Sequence, residues 1–387
     1  MNDGIYRALQ KHLNKQAVGF PAEKSGVEIR ILKQLFTPEE ARLVMHLTYK
    51  PATLENICSS AGTGGISPAD VRIMLTNMRK KGAIGVVQKE EVPYYCVFPF
   101  AVGILEQQVR NATPEFTQDV GEYMGGAFSM SLLSVNPPQL RFIPVSKSIS
   151  VETRTNTYDN VKELIKNSPG PFALGECGCK KIAAIQGYPC RMSSRLELCL
   201  AMGDAGRSSI ESGNGRAITR EEALEHISMS EEEGLVLQTT NTQNIEYLCS
   251  CCKCCCGALK VQHILPPKVV GNVTNYYVSV NSSSCVGCGL CAKKCQVDAI
   301  RIKDKKAVVD LSRCLGCGNC VAACKVSALT LLKKKNERKP PKDMETLYST
   351  IVANKRNLKI RIKYVGNLIY LGGYFGLRFI QGLFSKK

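Results

Sequence analysis

Two cysteine runs decide the fold of this chain: CVGCGLCAKKC at residues 285–295 and CLGCGNCVAAC at residues 314–324. Each run has the spacing C-x2-C-x2-C-x3-C, and the second begins 29 residues after the first. Self-similarity at a fixed period indicates a structural unit that occurs twice. Each run leads into a short apolar segment, AIRI or ALTL, which we expect to be a strand. Residues 271–332 are therefore predicted to form a duplicated domain of βαββαβ type.

The two runs resemble those of bacterial two-cluster ferredoxins. Three thiolates at this spacing fit one face of a cubane cluster, and the intervening glycines let the backbone approach it. In such ferredoxins the fourth cysteine of each run binds the other cluster. The resemblance implies two 4Fe–4S clusters, one held by Cys285, Cys288, Cys291 and Cys324 and the other by Cys314, Cys317, Cys320 and Cys295. A pair of zinc sites is the weaker interpretation.

The proline that usually follows the fourth cysteine is absent from both runs. Gln296 and Lys325 stand in its place, which alters the local backbone but removes no ligand. Lys293, Lys294 and Lys325 lie beside the predicted ligands in the sequence, and their charge is expected to favour the reduced clusters.

Ten further cysteines lie between residues 177 and 256 and form two groups. The first group, Cys177, Cys179, Cys190 and Cys199, has enough thiolates for a cluster or for tetrahedral zinc. In the second group Cys249, Cys252 and Cys255 have the spacing that fits three irons, with Cys256 or a first-group cysteine as the fourth ligand. We expect one or two additional iron–sulfur clusters; one cluster with zinc, or reactive thiols without metal, are the alternatives. His263 is expected to be structural rather than a ligand.

Composition and charge narrow the class of protein. The chain has 387 residues, 44% hydrophobic and 22% charged, which excludes a disulfide miniprotein and a mainly disordered chain. The N-terminal residues have no apolar signal segment, so we expect a cytoplasmic protein whose cysteines bind metal rather than form disulfides. The net charge of +18 is uneven: residues 301–387 carry 20 Lys+Arg against 5 Asp+Glu, and residues 1–300 carry 31 against 28.

Residues 1–105 are predicted to form a winged-helix-like domain with an N-terminal helix. Thr37 and Ser67 are expected to cap two of its helices, and AIGVVQ and YYCVFPF are expected to pair as a hairpin. Arg72, Arg79, Lys80 and Lys81 are candidates for phosphate contact. However, residues 36–100 hold seven Lys/Arg and six Asp/Glu, and Glu90 and Glu91 fall in the predicted wing. This charge balance argues against nucleic acid as a partner, and the domain is expected to dock on protein.

The remaining chain divides by composition into three parts. Residues 106–170 are expected to connect the domains, residues 171–265 to form a Cys-rich α/β domain, and residues 333–387 to form a basic linker and an amphipathic C-terminal helix. Within the last part, Tyr364–Phe384 has one charge, Arg378, and basic residues on both sides. We expect residues 355–387 to contact the inner face of the cytoplasmic membrane; a helix that docks on a partner or spans the bilayer is the alternative. The fold class is α+β and multidomain.

Most of the chain also resembles a family of ferredoxin-domain proteins from anaerobic prokaryotes. The matching motifs are GFP-x3-SGVEIR-x-L-x2-LFTPEEA (19–41), the CxC…C…C group, EEGLVLQTTN (232–241) and CSCCKCCC (249–256). The position of Leu237 is often His in such proteins. The resemblance implies iron–sulfur electron transfer without an assigned substrate.

The sequence has no nucleophile–base motif, P-loop or dinucleotide fingerprint, so substrate chemistry is expected to belong to a redox partner protein. We predict an electron carrier. The alternatives are a reductase with a catalytic cluster among residues 177–256, and a redox-sensing winged-helix regulator.

Overall fold

The computed structural model describes residues 3–62, 66–89, 92–150, 157–265 and 274–357, together with residues 366, 367 and 370. The membrane-contact prediction for residues 355–387 falls mostly outside these ranges, and so do Glu90 and Glu91 of the predicted wing. The described residues form a mixed α+β structure.

The N-terminal part is mainly helical. Its elements are α1 (Asp3–Asn14), α2 (Val27–Leu35), α3 (Pro38–Val44), α4 (Leu54–Ala61), α5 (Pro68–Lys80), the hairpin of β1 (Gly85–Lys89) and β2 (Val92–Cys96), α6 (Leu105–Gln107), α7 (Pro114–Gly125) and α8 (Ala127–Ser134). Thr37 caps α3 in a capping box with Glu40, and Ser67 caps α5, so both predicted caps are confirmed. Such a cap accepts hydrogen bonds from backbone N–H groups that would otherwise be unpaired.

A six-stranded antiparallel sheet forms the centre of the molecule. Its strand order is β3-β7-β8-β5-β4-β6. In chain order, the strands of this sheet and the helices between and after them are β3 (Leu140–Ile143), α9 (Val161–Asn167), β4 (Phe172–Glu176), α10 (Gly178–Ile185), β5 (Glu197–Met202), α11 (Gly203–Glu211), β6 (Gly215–Ile218), α12 (Arg220–Glu232), β7 (Val236–Thr240), β8 (Tyr247–Cys251) and α13 (Gly257–Ile264).

The alternation of side chains along the strands separates an apolar face from a thiol face. Leu200 and Leu248 lie in the core formed with α9 and α12. Cys199 and Cys249 are direct cross-strand partners. Because successive side chains point to opposite faces, these two cysteines lie together on the other face of the sheet.

The duplicated segment follows as β9 (Tyr276–Val280), α14 (Leu290–Lys294), β10 (Ile300–Lys303), β11 (Lys306–Val309), α15 (Asn319–Ala322) and β12 (Leu329–Lys333). The outer strands β9 and β12 pair antiparallel, and β10 and β11 form a hairpin. The pairing of the outer strands joins the two ends of the segment and brings its two cysteine runs together.

The chain then returns to the N-terminal part. The predicted linker is bonded to the central unit, because the Gln243 and Asn244 N–H groups donate to the carbonyl oxygens of Pro341 and Lys342. The next helix, α16 (Met344–Arg356), buries Leu347 and Ile351 in the N-terminal core. In the described part of the chain, no helix is long and apolar enough to cross a membrane.

Candidate metal centres

The backbone around the two cysteine runs is nearly the same in both halves of the duplication. Gly287 and Gly289 have positive φ angles of 70° and 79°, and Gly316 and Gly318 have 62° and 76°. These angles belong to the left-handed region that favours glycine. A Cβ atom at Gly316 would lie 2.5 Å from the Tyr276 carbonyl oxygen, so this position requires glycine for space as well.

Backbone N–H groups also point at equivalent sulfurs in the two halves. The Ala299 N–H donates to Cys295 Sγ and the Ala328 N–H to Cys324 Sγ, each at 3.2 Å. In the first half the Ala307 N–H also donates to Cys285 Sγ, at 3.4 Å. Donors of this kind stabilise negative charge on sulfur, as the thiolate ligands of a cluster require.

One cavity collects four of the predicted ligands. Cys295, from the first run, lines it together with Cys314, Cys317 and Cys320 from the second run. Burial raises the pKa of Cys317 to about 12, and the neighbouring Cys314 and Cys295 thiols contribute to the increase. Buried thiols in such a group are disfavoured as free anions, whereas iron deprotonates its thiol ligands outright. The residues present therefore fit a bound cluster.

The structure brings together only some of the four cysteines predicted for the other cluster. Burial raises the pKa of Cys291, and the nearby Cys285 and Cys288 contribute, so these three cysteines are neighbours. Cys288 is exposed, and Cys324 is half-buried. The assignment of Cys324 to this set stays a prediction from the sequence.

Four cysteines of the middle region form a tight group, which we call the four-thiol group: Cys190, Cys252, Cys254 and Cys255. Their sulfurs all lie within 4.8 Å of one another. Cys190 Sγ lies 3.6 Å from Cys252 Sγ and 3.5 Å from Cys254 Sγ, and Cys254 Sγ lies 3.7 Å from Cys255 Sγ.

The remaining six middle cysteines form what we call the six-thiol group: Cys177, Cys179, Cys199, Cys249, Cys251 and Cys256. Cys179 interacts with Cys177 and Cys256, and Cys249 interacts with Cys199 and Cys251. These hydrogen bonds hold the pKa of Cys179 and Cys249 well below the ordinary value. Cys251 and Cys256 interact as well and connect the two halves of the group.

A carboxyl group lies beside the six-thiol group. Glu106 accepts a hydrogen bond from the Gly103 N–H at 2.6 Å. Burial raises the pKa of Glu106 to about 8, and its neighbours Cys179 and Cys249 contribute to the increase. Near neutral pH this carboxyl is therefore largely protonated, which spares the thiols an additional negative charge.

The grouping in the structure differs from the grouping suggested by spacing along the chain. Cys249 and Cys256 lie apart from Cys252 and Cys255, and Cys190 joins the latter pair. Sequence reasoning missed Cys251 and Cys254. Cys251 was detectable, because it lies two residues after Cys249 in the same strand and shares its face.

Gln296, at the position where two-cluster ferredoxins usually have proline, joins the middle region to the duplicated segment. Its side chain is 2% exposed. Its Nε2 donates to the Gly234 carbonyl oxygen, and its Oε1 accepts from the Lys253 N–H, both at 3.1 Å. His263 donates from Nε2 to the Gln296 carbonyl oxygen at 2.8 Å, and its Nδ1 lies 3.4 Å from Asp298 Oδ2. Protein groups therefore contact both ring nitrogens of His263.

Cysteines from both regions share one apolar cluster. Val236, Val297 and Leu315 are buried in it, and Cys251 and Cys256 of the six-thiol group belong to it. Cys295 and Cys317 of the duplicated segment pack against the same cluster. The two sets of thiols therefore contact one common cluster of buried apolar side chains.

Comparison with known proteins agrees with the chemistry of the duplicated segment. Residues 284–328 match the family model of the 4Fe-4S dicluster domain. No curated protein and no solved structure matches the chain. The match covers a small part of the chain and, together with the cysteine groups, supports a 4Fe–4S-binding protein.

Proposed function

We propose that this protein relays single electrons between two 4Fe–4S clusters of the duplicated segment and a further iron–sulfur centre in the six-thiol group. The observation that carries the proposal is the apolar cluster shared by Cys251 and Cys256 with Cys295 and Cys317. Centres bound by these thiols would be connected through buried protein side chains, which favours electron exchange across the boundary of the two regions.

The ligands that we assign to the duplicated segment follow the interleaved pattern. Cys285, Cys288, Cys291 and Cys324 hold the first cluster, and Cys314, Cys317, Cys320 and Cys295 hold the second. When bound, each cluster supplies a one-electron redox couple. The chain's own contribution is to exclude water and to direct the Ala299, Ala307 and Ala328 N–H groups at the ligand sulfurs. Hydrogen bonds to sulfur raise the reduction potential.

The first cluster site lies next to a surface suited to a redox partner protein. Cys288 is exposed, and Val286 and Ile302 near it are 64% and 37% exposed. Lys293 and Lys305 are also exposed there. Apolar side chains with cations around them fit a partner with an acidic rim, which would be attracted electrostatically.

The structure favours this proposal over the regulator. Arg79 forms an ion pair with Glu211, and Lys81 forms one with Glu40 at 2.5 Å. Two of the four cations that the sequence offers for phosphate contact are thus engaged within the protein. The remaining positive charge is small for binding to nucleic acid.

One observation favours the reductase as a second candidate. A cavity of about 290 Å³ opens beside the Cys177–Cys179 segment and is lined by Arg110, Lys181 and Arg216 together with Glu176 and Glu197. Val109, which also lines it, is close to Gly178 between the two cysteines. A small anionic molecule bound there would be next to the six-thiol group.

A redox titration followed by electron paramagnetic resonance tests the relay. Protein purified without oxygen should show reversible one-electron signals from the duplicated segment and an additional signal. Cys249→Ser should remove the additional signal, and Cys58→Ser, in the N-terminal part, should leave all signals unchanged. If no reversible reduction occurs, or if the Cys249→Ser spectrum equals that of the wild type, the relay is wrong. Oxidation of the reduced protein by a small anion, abolished by Arg110→Ala, would instead support the reductase.

A further inference from the structure

We propose that the four-thiol group, Cys190, Cys252, Cys254 and Cys255, binds one zinc ion and carries no electrons. This site is separate from the iron–sulfur centres of the proposed function. It divides the cysteines of the middle region by chemistry: four hold a redox-inert ion, and the other six are left for a cluster.

The sulfur–sulfur distances match a single tetrahedral ion. Zinc–thiolate bonds are about 2.3 Å long, so the sulfurs of a tetrahedral site lie about 3.8 Å apart. In the four-thiol group, Cys252 and Cys254 are 3.5 Å apart, Cys190 and Cys252 are 3.6 Å apart, and Cys254 and Cys255 are 3.7 Å apart. The Cys190–Cys254 distance is 3.5 Å, and the two remaining distances, from Cys255 to Cys190 and to Cys252, are below 4.8 Å. Four of the six distances thus lie within a few tenths of an ångström of the tetrahedral value, and an ion would draw Cys255 closer to the other two.

The duplicated segment provides an internal comparison. Each thiolate of a cubane binds a different iron, so its sulfurs must stand further apart than those on one ion. The four cysteines that line the cavity at Cys295 surround an open space. Among the described residues, only the four-thiol group has three or more ligand atoms mutually within 4.8 Å. The same chain thus contains both a wide and a tight spacing of four thiols.

The surroundings of the four-thiol group suit a structural site. Cys252 is 2% exposed and Cys255 is 5% exposed, and they pack with Leu198 and Leu235. The loop after Cys190 is fixed by the buried Lys180, whose Nζ donates to the Ser193 carbonyl oxygen at 3.0 Å and to the Arg195 carbonyl oxygen at 2.8 Å. Four thiolates on zinc carry a net charge of about −2, and the Lys180 ammonium, which is bonded to the loop after Cys190, offsets part of it.

Zinc at this position would fix the loop that connects β8 to α13. Cys251 and Cys256 lie on either side of the zinc ligands in the sequence and belong to the six-thiol group. The ion would also tie this loop to the one at Cys190. Through the Lys253 N–H and Gln296 the same loop contacts the duplicated segment. The zinc site therefore stabilises the contact between the middle region and the duplicated segment without taking part in electron transfer.

Metal analysis of Cys254→Ser, with Cys58→Ser as control, tests the assignment. Wild-type protein and the control should contain about one zinc per chain, and Cys254→Ser should lose it while keeping its iron and sulfide. A loss of iron and sulfide from Cys254→Ser, or the absence of zinc from the wild type, would overturn the assignment.

Cobalt substitution of the wild-type chain keeps the test independent of the folding of the variant. Exchange of zinc for Co²⁺ should give the intense visible bands and the sulfur-to-cobalt charge-transfer absorption of a tetrahedral tetrathiolate site. Octahedral cobalt spectra, or no exchangeable ion, would contradict the proposal. The readout does not depend on whether the clusters transfer electrons, so it can fail while the proposed function stands.

Discussion

At the scale of single residues, Gln296 shows how one substitution changes what a cysteine run can contact. A proline at this position would have no side-chain amide to bond Gly234 and Lys253. We predict that Gln296→Ala leaves buried polar groups unpaired at a cost of about 1–3 kcal/mol. The midpoint of thermal bleaching of the cluster absorbance should fall by on the order of 5 °C.

Lys325 is the matched control for this change. It occupies the equivalent position in the second run and is exposed. Lys325→Ala should therefore leave the bleaching midpoint within about 1 °C of the wild type, since exposed substitutions have small effects. Equal shifts for the two variants would show that Gln296 does not join the two regions.

His226 gives the protein a pH dependence on the acid side of neutrality. The side chain is 1% exposed, and its Nδ1 accepts a hydrogen bond from Arg195 Nη1 at 3.0 Å. Burial, with the positive charge of Arg195, lowers the pKa of His226 to about 4. Below pH 6.5 the unfolded chain therefore binds more protons at this residue than the folded chain.

We predict that His226 removes about 1.4 kcal/mol of unfolding free energy for each pH unit below about 6.5. The effect should be absent above pH 7. His226→Gln keeps an acceptor for Arg195 but does not titrate, so its stability should depend less on pH between 5.5 and 7.5. Thermal melts across this range check the prediction, and parallel curves for the two proteins would refute it.

At the scale of elements, the turns of the duplicated segment depend on glycine. Gly316 has a φ of 62°, and a Cβ there would lie 2.5 Å from the Tyr276 carbonyl oxygen and 2.6 Å from Thr274 Oγ1. Gly316→Ala should therefore destabilise the folded protein by several kcal/mol and reduce its iron content. The clash adds to the cost of about 1 kcal/mol for an alanine in the left-handed backbone conformation.

Gly187 is a suitable control for Gly316. It has a φ of 84°, with nothing within 4 Å of the position that a Cβ would take. Gly187→Ala should thus lose only the stability that a left-handed backbone conformation costs an alanine, and the protein should keep its iron. The comparison of melting temperatures and iron contents separates strain of the cluster loop from the general preference for glycine.

The sequence predicts the elements better than it predicts the thiol sites. Thr37 and Ser67 each cap a helix as their local patterns indicate, because a cap is made within a few residues. The partners of Cys190 depend instead on how two distant loops meet. Within 251–256 the outer cysteines go to one group and the inner ones to another, and spacing along the chain does not distinguish them.

At the scale of the whole molecule, the sequence predicted a 4Fe–4S-binding protein, and the family match at 284–328 supports it. The sequence did not predict the contacts that form the boundary between the middle region and the duplicated segment. That boundary depends on Gln296 and on an apolar cluster whose members come from β3, β7, β8, the loop after β8, α13 and the duplicated segment. Neither feature has a local signature.

The C-terminal segment provides a test that depends on its composition alone. Residues 358–387 carry six Lys/Arg and no Asp or Glu. We predict that a chain ending at Asn357 loses binding to anionic phospholipid vesicles and keeps its iron content. Co-sedimentation with anionic and neutral vesicles checks this, since electrostatic attraction requires the anionic lipid. Retained binding after truncation would exclude the segment as the membrane contact.

The count of iron, acid-labile sulfide and zinc per chain, in protein purified without oxygen, tests the central claim most directly. Two 4Fe–4S clusters in the duplicated segment, one further cluster in the six-thiol group and zinc in the four-thiol group predict about twelve irons with equal sulfide, and one zinc. About eight irons would confine electron transfer to the duplicated segment and contradict the relay. A protein without iron would contradict the account as a whole.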